Sequence, residues 1–257
     1  MTHADEEYLP GLPARPGKPR SRGLTAVMDN GLAFRELHGI LEEQSDLIDV
    51  AKFGIGSAYV TPRLAEKVSL YREHDVIPYF GGTLFEKFYD NGRFQRYLDY
   101  LTANEIDWIE ISTGTVEIEL SERLELVCDA RERGFEVIAE VGRKDTSIIM
   151  PPSAWIDEIA AFLDAGVSYV ITEGRDSGTA GIYRPSGEIR TGLVADIVSN
   201  IDPDRLIFEA SSGQAQMFFI NLVGPNVNLG NIGPRDLVRL EAQRQGLRSE
   251  TFHVNGG

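Results

Sequence analysis

Short apolar runs alternate along the chain with amphipathic stretches, and the polar or small residues that end the runs recur. Such runs, bounded by turn residues, are typical of buried strands, and apolar positions three and four apart are typical of helices. The endings include VMDNG (27–31), VAKFG (50–54), IEIST (109–113), VIAEVGRK (137–144), SYVITEGRDSG (168–178) and LIFEASS (206–212). The pattern predicts strands at 23–29, 49–54, 76–80, 108–111, 135–141, 169–171, 206–209 and 226–229, with helices between them.

Eight strand and helix units in succession predict an α/β fold, a single-domain (β/α)8 TIM barrel over residues 23–257. Residues 1–22, with four prolines, are expected to form a flexible arm, although residues 6–12 could pack under the barrel or on a neighbouring subunit. A doubly wound sheet is the alternative, but no G-x-G-x-x-G follows the first strand. Thr61 and Pro62 predict a helix start, and Gly134 and Gly166 predict helix ends.

Composition narrows the classes of function. The 257 residues are 42% hydrophobic and 25% charged, which is typical of one globular domain. A formal net charge of −15 argues against a nucleic-acid partner, since phosphate backbones are bound by clustered Lys and Arg. The sequence has no apolar run near ~18 residues, so no membrane association is expected. The lone cysteine, Cys128, is predicted to be a core residue, and a reducing cytoplasm is the expected compartment.

Four glutamates stand at or beside the ends of predicted strands, where a parallel α/β protein has its active site. They are Glu110, Glu140, Glu173 and Glu209. One interpretation is that they form ion pairs with nearby cations across the barrel mouth. The other is that two or three of them bind Mg²⁺, which prefers carboxylate oxygens. Asp29 could join them or could be a turn residue in DNG.

Basic and small residues at the same strand ends predict a local anion site in an otherwise acidic protein. Lys52 ends the second strand, and a lysine there favours a pocket position. Arg175 is followed by Ser177 and Gly178, whose backbone could approach an anion closely. The remaining candidates are Arg143, Lys144, Ser211 and Ser212, of which the two serines precede a helix N-terminus. Residues 179–190 are interpreted as a lid with Gly181 and Gly187 as hinges.

Taken together, these motifs resemble the phosphosulfolactate synthase family. The resemblance rests on KFGIGSA (52–58), GGTLFE (81–86), EIS (110–112), EVGRK (140–144), EGRDSG (173–178), IFEA (207–210), VNLGNI (227–232) and GLRSETF (246–252), in order. It covers nearly the whole barrel. The family also includes plant heat-stress-associated proteins, so a non-catalytic role is the alternative to an enzyme.

The resemblance implies a Mg²⁺-dependent lyase that adds sulfite to C3 of phosphoenolpyruvate, an early step toward coenzyme M. It implies Glu140, Glu173 and Glu209 as metal ligands, and Lys144 as proton donor with Lys52 and Glu110 as further catalytic residues. Arg175, Ser177 and Gly178 would bind phosphate or sulfonate, aided by Arg143, Ser211 and Ser212. Thr113 stands where the family pattern has an acidic residue, and the 211–216 loop is less basic, so another nucleophile stays open. Such barrels commonly self-associate, so a homo-oligomer is compatible with the sequence.

Overall fold

Eight parallel strands close into a barrel in the order in which they occur in the chain. The computed structural model describes residues 9, 11–143, 150–175 and 177–254. β8 pairs with β1 and closes the sheet, which confirms the predicted single-domain (β/α)8 barrel. The strands are β1 (Thr25–Met28), β2 (Val50–Phe53), β3 (Ile77–Phe80), β4 (Trp108–Ile111), β5 (Glu136–Val141), β6 (Tyr169–Thr172), β7 (Leu206–Glu209) and β8 (Leu229–Ile232).

Helices follow the strands and form the outer layer of the barrel. Within the described residues they are α1 (Phe34–Gln44), α2 (Leu64–Glu73), α3 (Gly82–Asp90), α4 (Phe94–Ala103), α5 (Leu120–Glu132), α6 (Pro152–Asp164), α7 (Thr191–Asn200), α8 (Gly213–Val223) and α9 (Leu237–Arg244). Short 3-10 turns occur at Ser45–Leu47, Ser57–Tyr59, Pro203–Arg205 and Ser249–Thr251. None of these helices is both long enough and apolar enough to cross a membrane.

The apolar residues divide into two layers because successive side chains of a strand point to opposite faces. The larger layer lies between the strands and the helices and includes Phe53, Phe80, Val141 and Phe208. The smaller layer fills the inside of the barrel below its carboxyl end and consists of Leu24, Ala26, Val50, Tyr79, Ile138, Ile171 and Ile207. The interior is therefore packed, and free space is left only above this layer.

Several predicted helix ends agree with the structure, and one helix start does not. Gly134 and Gly166 have φ of 88° and 85°, the left-handed conformation that glycine adopts easily after a helix. The start predicted at Thr61 and Pro62 was wrong, because α2 begins at Leu64. The Thr61 hydroxyl instead donates to the carbonyl of Ser57 at 2.8 Å, within the preceding 3-10 turn. Cys128, expected in the core, is exposed.

The arm before β1 contacts the amino-terminal end of the barrel through three basic side chains. Lys18 Nζ donates to the carbonyls of Ser45 and Ile48, at 3.1 and 2.7 Å. Arg20 forms an ion pair with Asp49 at 3.0 Å. Arg15 pairs with Glu241 of α9 at 3.2 Å, and it also donates to the carbonyl of Gly23 at 2.9 Å. The arm therefore contacts both the segment around β1 and β2 and the last helix, α9. The flexibility of the arm stays a prediction.

The last strand lies three residues later than predicted. Residues 226–229 were expected to form it, but β8 is Leu229–Ile232. Asn228 precedes this strand. Its side chain adds two bonds to the backbone pairing, since its Oδ1 accepts from Leu24 N at 2.9 Å and its Nδ2 donates to the Leu206 carbonyl at 2.9 Å, while its own carbonyl accepts from Phe208 N at 3.1 Å. The pairing with β1 is also irregular, because Thr25 faces Leu229 but Val27 faces Ile232. β8 thus contains one extra residue, a β-bulge at 230–231.

Candidate active site

The strand alternation explains why the charged residues converge at the carboxyl end of the barrel, called the mouth below. Val50, Ile138, Ile171 and Ile207 belong to the interior layer, and two residues later the same face carries Lys52, Glu140, Glu173 and Glu209. Glu110 likewise follows Trp108, which packs against that layer. A period of two therefore places one lysine and four glutamates on the inner face, one step above the core.

These side chains line one cavity of about 230 Å³, large enough for a small molecule. Its walls come from the ends of all eight strands and the loops that follow them. The lining residues are Met28, Lys52, Ile55, Gly81, Gly82, Thr83, Glu110, Glu140, Glu173, Arg175, Ser177, Glu209 and Asn231. The structure therefore brings together seven of the candidates from the sequence, and their chemical roles stay predictions.

Lys52 is the centre of the charged cluster. Its Nζ lies 3.0 Å from Glu110 Oε2, 3.5 Å from Glu140 Oε2 and 3.5 Å from Glu209 Oε1. Burial alone would lower the pKa of Lys52, but the surrounding carboxylates, Glu110 foremost, raise it well above its ordinary value. Lys52 is consequently an ammonium ion at neutral pH, suited to holding negative charge and poorly suited to releasing a proton.

In two of the glutamates around Lys52, burial outweighs the attraction of the ammonium and raises the pKa. Burial raises the pKa of Glu209 to about 7, a rise that Lys52 opposes and Glu140 reinforces. Burial, opposed by Lys52, also raises the pKa of Glu110. Among the described residues, Lys52 contacts three of these carboxylates, and burial opposes the ionised form of Glu110 and Glu209.

Close backbone contacts fix the orientation of the glutamates. Glu110 Oε1 accepts from Gly82 N at 2.6 Å, at the start of α3. A Cβ on Gly82 would lie 2.1 Å from Ser112 Oγ and 2.6 Å from Glu110 Oε1, so only glycine leaves room for this contact. Glu209 Oε2 accepts from Gly174 N at 2.8 Å, and Glu173 Oε1 accepts from the backbone N–H of Arg175 at 2.6 Å.

The segment interpreted as a lid contacts the backbone of two glutamates of the site. Ile182 N donates to the Glu173 carbonyl at 2.9 Å, and the Tyr183 hydroxyl donates to the Glu209 carbonyl at 2.6 Å. Both side chains are buried. A Cβ on Gly181 would lie 1.9 Å from the Glu173 oxygen, so this glycine allows close packing. The interpretation of residues 179–190 as a lid with Gly181 and Gly187 as hinges stays a prediction.

The predicted anion-binding residues separate into two groups. Arg175 and Ser177 line the cavity and are exposed, with Arg175 at φ 57°. Gly178 is buried beside them, and a Cβ there would lie 3.7 Å from Ser211 Oγ. Ser212 caps α8, since its Oγ accepts from Ala215 N at 3.2 Å, as a helix cap would.

The other candidates for anion binding or proton donation do not line the cavity or lie outside the described residues. Gly178, Ser211, Ser212 and Arg143 are absent from the cavity lining within the described residues. Arg143 instead donates to Thr113 Oγ1 at 3.3 Å, and Thr113 Oγ1 donates to the Val116 carbonyl at 2.6 Å. Thr113 thus braces the loop after β4. Lys144, the predicted proton donor, lies outside the described residues.

Asp29 has a structural partner outside the cavity, which settles the open choice at this position. Its carboxylate lies 2.7 Å from Lys67 Nζ, and it accepts from the Tyr71 hydroxyl at 3.1 Å. It also accepts from Gly31 N and Leu32 N, each at 2.9 Å, as an aspartate in a turn does. Asp29 and Lys67 are buried, so the pair fastens β1 to α2.

The carboxylates of the cavity are candidate ligands for Mg²⁺. Glutamate oxygens are the right chemistry, and Glu140, Glu173 and Glu209 line one cavity. No three His, Cys, Asp or Glu residues in the described part of the chain are arranged to hold a metal ion. Mg²⁺ in enzymes usually keeps waters and takes one or two carboxylates plus substrate oxygens. The residues fit such an open site, and they do not form a closed protein cage.

Asn231 is a mouth residue that sequence reasoning missed. It lines the cavity, is buried, and has φ of 55° inside β8. The predicted strand, 226–229, ends before Asn231, which belongs to the VNLGNI motif (227–232). The available signal was an Asn directly after a glycine, in GNIG, since Asn tolerates left-handed backbone better than most residues.

Fold and site together define an enzyme-type barrel with a charged cavity at the carboxyl ends of its strands. Residues 13–250 match the family model described as (2R)-phospho-3-sulfolactate synthase (ComA). The chain therefore belongs to the phosphosulfolactate synthase family, as the motifs indicated. Membership of this family supports a lyase-type enzyme with small-molecule substrates.

Individual relatives agree with the family match. The chain is 42% identical over 246 residues to phosphosulfolactate synthase of Bacillus subtilis (strain 168), covering 95% of this chain and 97% of the relative. It is 40% identical to the Methanothermobacter thermautotrophicus phosphosulfolactate synthase, over 93% of this chain and 95% of the relative. It is 23% identical to the Arabidopsis thaliana protein HEAT-STRESS-ASSOCIATED 32, over 84% of this chain and 83% of the relative.

A solved structure also supports the fold. The truncated 3-deoxy-D-arabino-heptulosonate 7-phosphate synthase of Thermotoga maritima superposes with a TM-score of 0.56, covering 97% of each chain. The two sequences are only 11% identical, so this likeness concerns the fold alone.

Proposed function

We propose that this protein is a cytoplasmic phosphosulfolactate synthase that adds sulfite to C3 of phosphoenolpyruvate. The observation that carries the proposal is the cavity in which Lys52 and Arg175 face four glutamates, in a chain 42% identical to a phosphosulfolactate synthase. A small anion fits a site that combines fixed cations with metal-ligating carboxylates. The product, 2-phospho-3-sulfolactate, would serve sulfonate biosynthesis such as that leading to coenzyme M.

The proposed reaction forms one bond to sulfur and one to hydrogen. The sulfite lone pair attacks C3, the electrons of the C2–C3 double bond move toward the carboxylate, and an aci-carboxylate forms. A proton then adds to C2, and the phosphate stays bound. Lys52 is already an ammonium beside Glu110, so its part would be to stabilise the negative charge that develops.

The remaining candidate residues would bind the anion, hold Mg²⁺ or donate the proton. Arg175 and Ser177, exposed at the rim, would bind the phosphate or sulfonate, with Gly178 and Ser211 beside them. Bound by one or two of Glu140, Glu173 and Glu209, Mg²⁺ would supply charge stabilisation at the substrate carboxylate. Lys144 is the proposed donor of the C2 proton on the strength of the family resemblance.

Turnover tests the proposal directly. The protein is incubated with phosphoenolpyruvate, sulfite and Mg²⁺, and ³¹P NMR follows loss of substrate and formation of the sulfonate. We expect turnover to require sulfite, to stop with EDTA, and to be abolished by Lys144→Ala without loss of folding. Lys87→Ala is the matched control, since Lys87 is an exposed lysine of α3.

The alternatives give different results in the same assay. Consumption of phosphoenolpyruvate only with a thiol or a phosphorus oxyanion would keep the barrel chemistry and replace the nucleophile. Neither turnover nor a ligand-induced rise in melting temperature would indicate a non-catalytic protein like its plant relative. The synthase proposal is preferred because identity to two synthases is 42% and 40%, against 23% to the plant protein.

A further inference from the structure

Charge is distributed unevenly around the barrel mouth. The four adjacent strands β4, β5, β6 and β7 each present a glutamate there, so that half of the rim is acidic. The opposite part of the rim presents Met28 of β1, Lys52 of β2 and Asn231 of β8. Asp29, next along β1, is bound to Lys67 outside the cavity. Asn231 is therefore a neutral polar side chain on the part of the rim where no carboxylate lines the cavity within the described residues.

The side chain of Asn231 reaches the cavity because of the β8 bulge. Leu229 and Ile232 both belong to the layer between the strands and the helices, although three residues apart. In a regular strand, positions of that spacing face opposite sides. The extra residue at 230–231 lets Ile232 return to the outer face and turns Asn231 toward the cavity. Bulges at barrel rims commonly redirect a side chain in this way.

The backbone conformation of Asn231 and the burial of its side chain are both energetically unfavourable. Its φ of 55° is unusual for a residue other than glycine, and most of its surface is buried, with 7% exposed. Its Oδ1 atom is buried and has no hydrogen-bond partner within the described residues. A buried polar atom without a partner is rare in folded proteins, and a strained residue that lines a cavity is typical of a ligand site.

We propose that Asn231 is a substrate-binding residue whose carboxamide hydrogen-bonds an anionic oxygen of the bound ligand. A neutral amide offers N–H donors to such an oxygen without adding charge to the cluster around Lys52. Its Oδ1 and Nδ2 positions can exchange by rotation of the amide, so the side chain can present a donor to the ligand. The identity of the ligand as phosphoenolpyruvate or sulfite rests on the proposed function, whereas the recognition of an oxyanion rests on the cavity.

Two substitutions separate ligand binding from backbone conformation. Asn231→Gly removes the amide and relieves the φ of 55°, because glycine adopts this conformation freely. Asn231→Asp keeps the shape but extends the acidic rim. Asp75→Gly is the control, since Asp75 is an exposed residue at φ 54° remote from the lining of the cavity. All three variants and the unmodified protein are compared in melting temperature, in KM for each substrate, and by calorimetry with phosphoenolpyruvate, sulfite and inorganic phosphate.

The expected result is weaker ligand binding in a protein that remains stable. Asn231→Gly should melt at or above the temperature of the unmodified protein, and KM for one substrate should rise about 10-fold or more, the usual effect of losing a hydrogen bond to a charged group. The substrate whose KM rises identifies the oxygen that Asn231 contacts. Asn231→Asp should raise that KM further, and Asp75→Gly should leave both KM values unchanged.

Other outcomes are equally informative. If Asn231→Gly keeps both KM values and all three affinities within twofold, Asn231 does not bind the ligand and the inference is wrong, whereas the synthase activity stands. If the unmodified protein turns over neither substrate but binds phosphate, and Asn231→Gly weakens that binding, the inference stands and the proposed function fails. If the unmodified protein binds none of the three anions, both are wrong.

Discussion

Replacing Lys67 by methionine should destabilise the protein strongly, because it leaves the Asp29 carboxylate buried without its ammonium partner. Asp29 is 0% and Lys67 1% exposed, and the charged atoms lie 2.7 Å apart. Removing one partner of such a pair costs about 3–5 kcal/mol. For a domain of this size each kcal/mol lowers the melting temperature by about 2–4 °C, so we expect a decrease of about 6–20 °C.

Urea denaturation at neutral pH measures this effect, because it reports the free energy of unfolding of each variant. The double variant Asp29→Asn with Lys67→Met should cost about 2–3 kcal/mol less than the sum of the single variants. Lys87→Met, on the exposed surface of α3, is the control and should change little.

The reasoning fails if Lys67→Met costs less than about 1 kcal/mol, or if the two single effects simply add. Either result would mean that the two charges do not depend on each other in the folded protein. Loss of catalytic activity in the absence of any loss of stability would restore Asp29 as a candidate site residue.

Two further predictions concern the mouth. With a metal chelator present, Glu209 binds its proton more tightly in the folded than in the unfolded state, because its pKa rises from 4.5 to about 7. The free energy of unfolding should therefore fall by about 3 kcal/mol as the pH rises from 4.5 to 7, at about 1.4 kcal/mol per pH unit. Urea denaturation measures this decrease. Glu209→Gln should abolish it, whereas Glu43→Gln, on the surface, should not. Gly82→Ala should displace the Glu110 carboxylate, because the new Cβ would collide with it, and should lower kcat at least about 10-fold. An unchanged kcat would contradict this expectation. Gly39→Ala is the control, because a Cβ at Gly39 would meet open space.

The barrel and most of its strands could be predicted from the sequence because the information is local. Apolar runs of strand length, separated by helices that end in glycines such as Gly134, specify both the element and its neighbour. The convergence of Glu140, Glu173 and Glu209 follows from the same rule, since the ends of parallel strands meet at one edge. A period of two then predicts which side chains face inward.

The remaining features depend on contacts distant in sequence. The partner of Asp29 lies on α2, 38 residues later, and nothing in DNG distinguishes that contact from a metal ligand. Asn228 was predicted to be a strand residue, but β8 begins one residue later, and the side chain of Asn228 bonds the backbone of Leu24 and Leu206, both distant in sequence. The bulge that exposes Asn231 to the cavity depends on the pairing of β8 with β1, at opposite ends of the chain.

The contact of Arg15 with Glu241 and Asn226 has a consequence for how the protein is made. These two partners, on α9 and before β8, emerge from the ribosome more than 200 residues after the arginine that binds them. Arg15 must therefore wait for both partners before it can hold the seam between β8 and β1 together. A nascent chain halted before Asn226, and so before β8, would lack both partners of Arg15, and its unfinished sheet would offer unpaired edges to other chains.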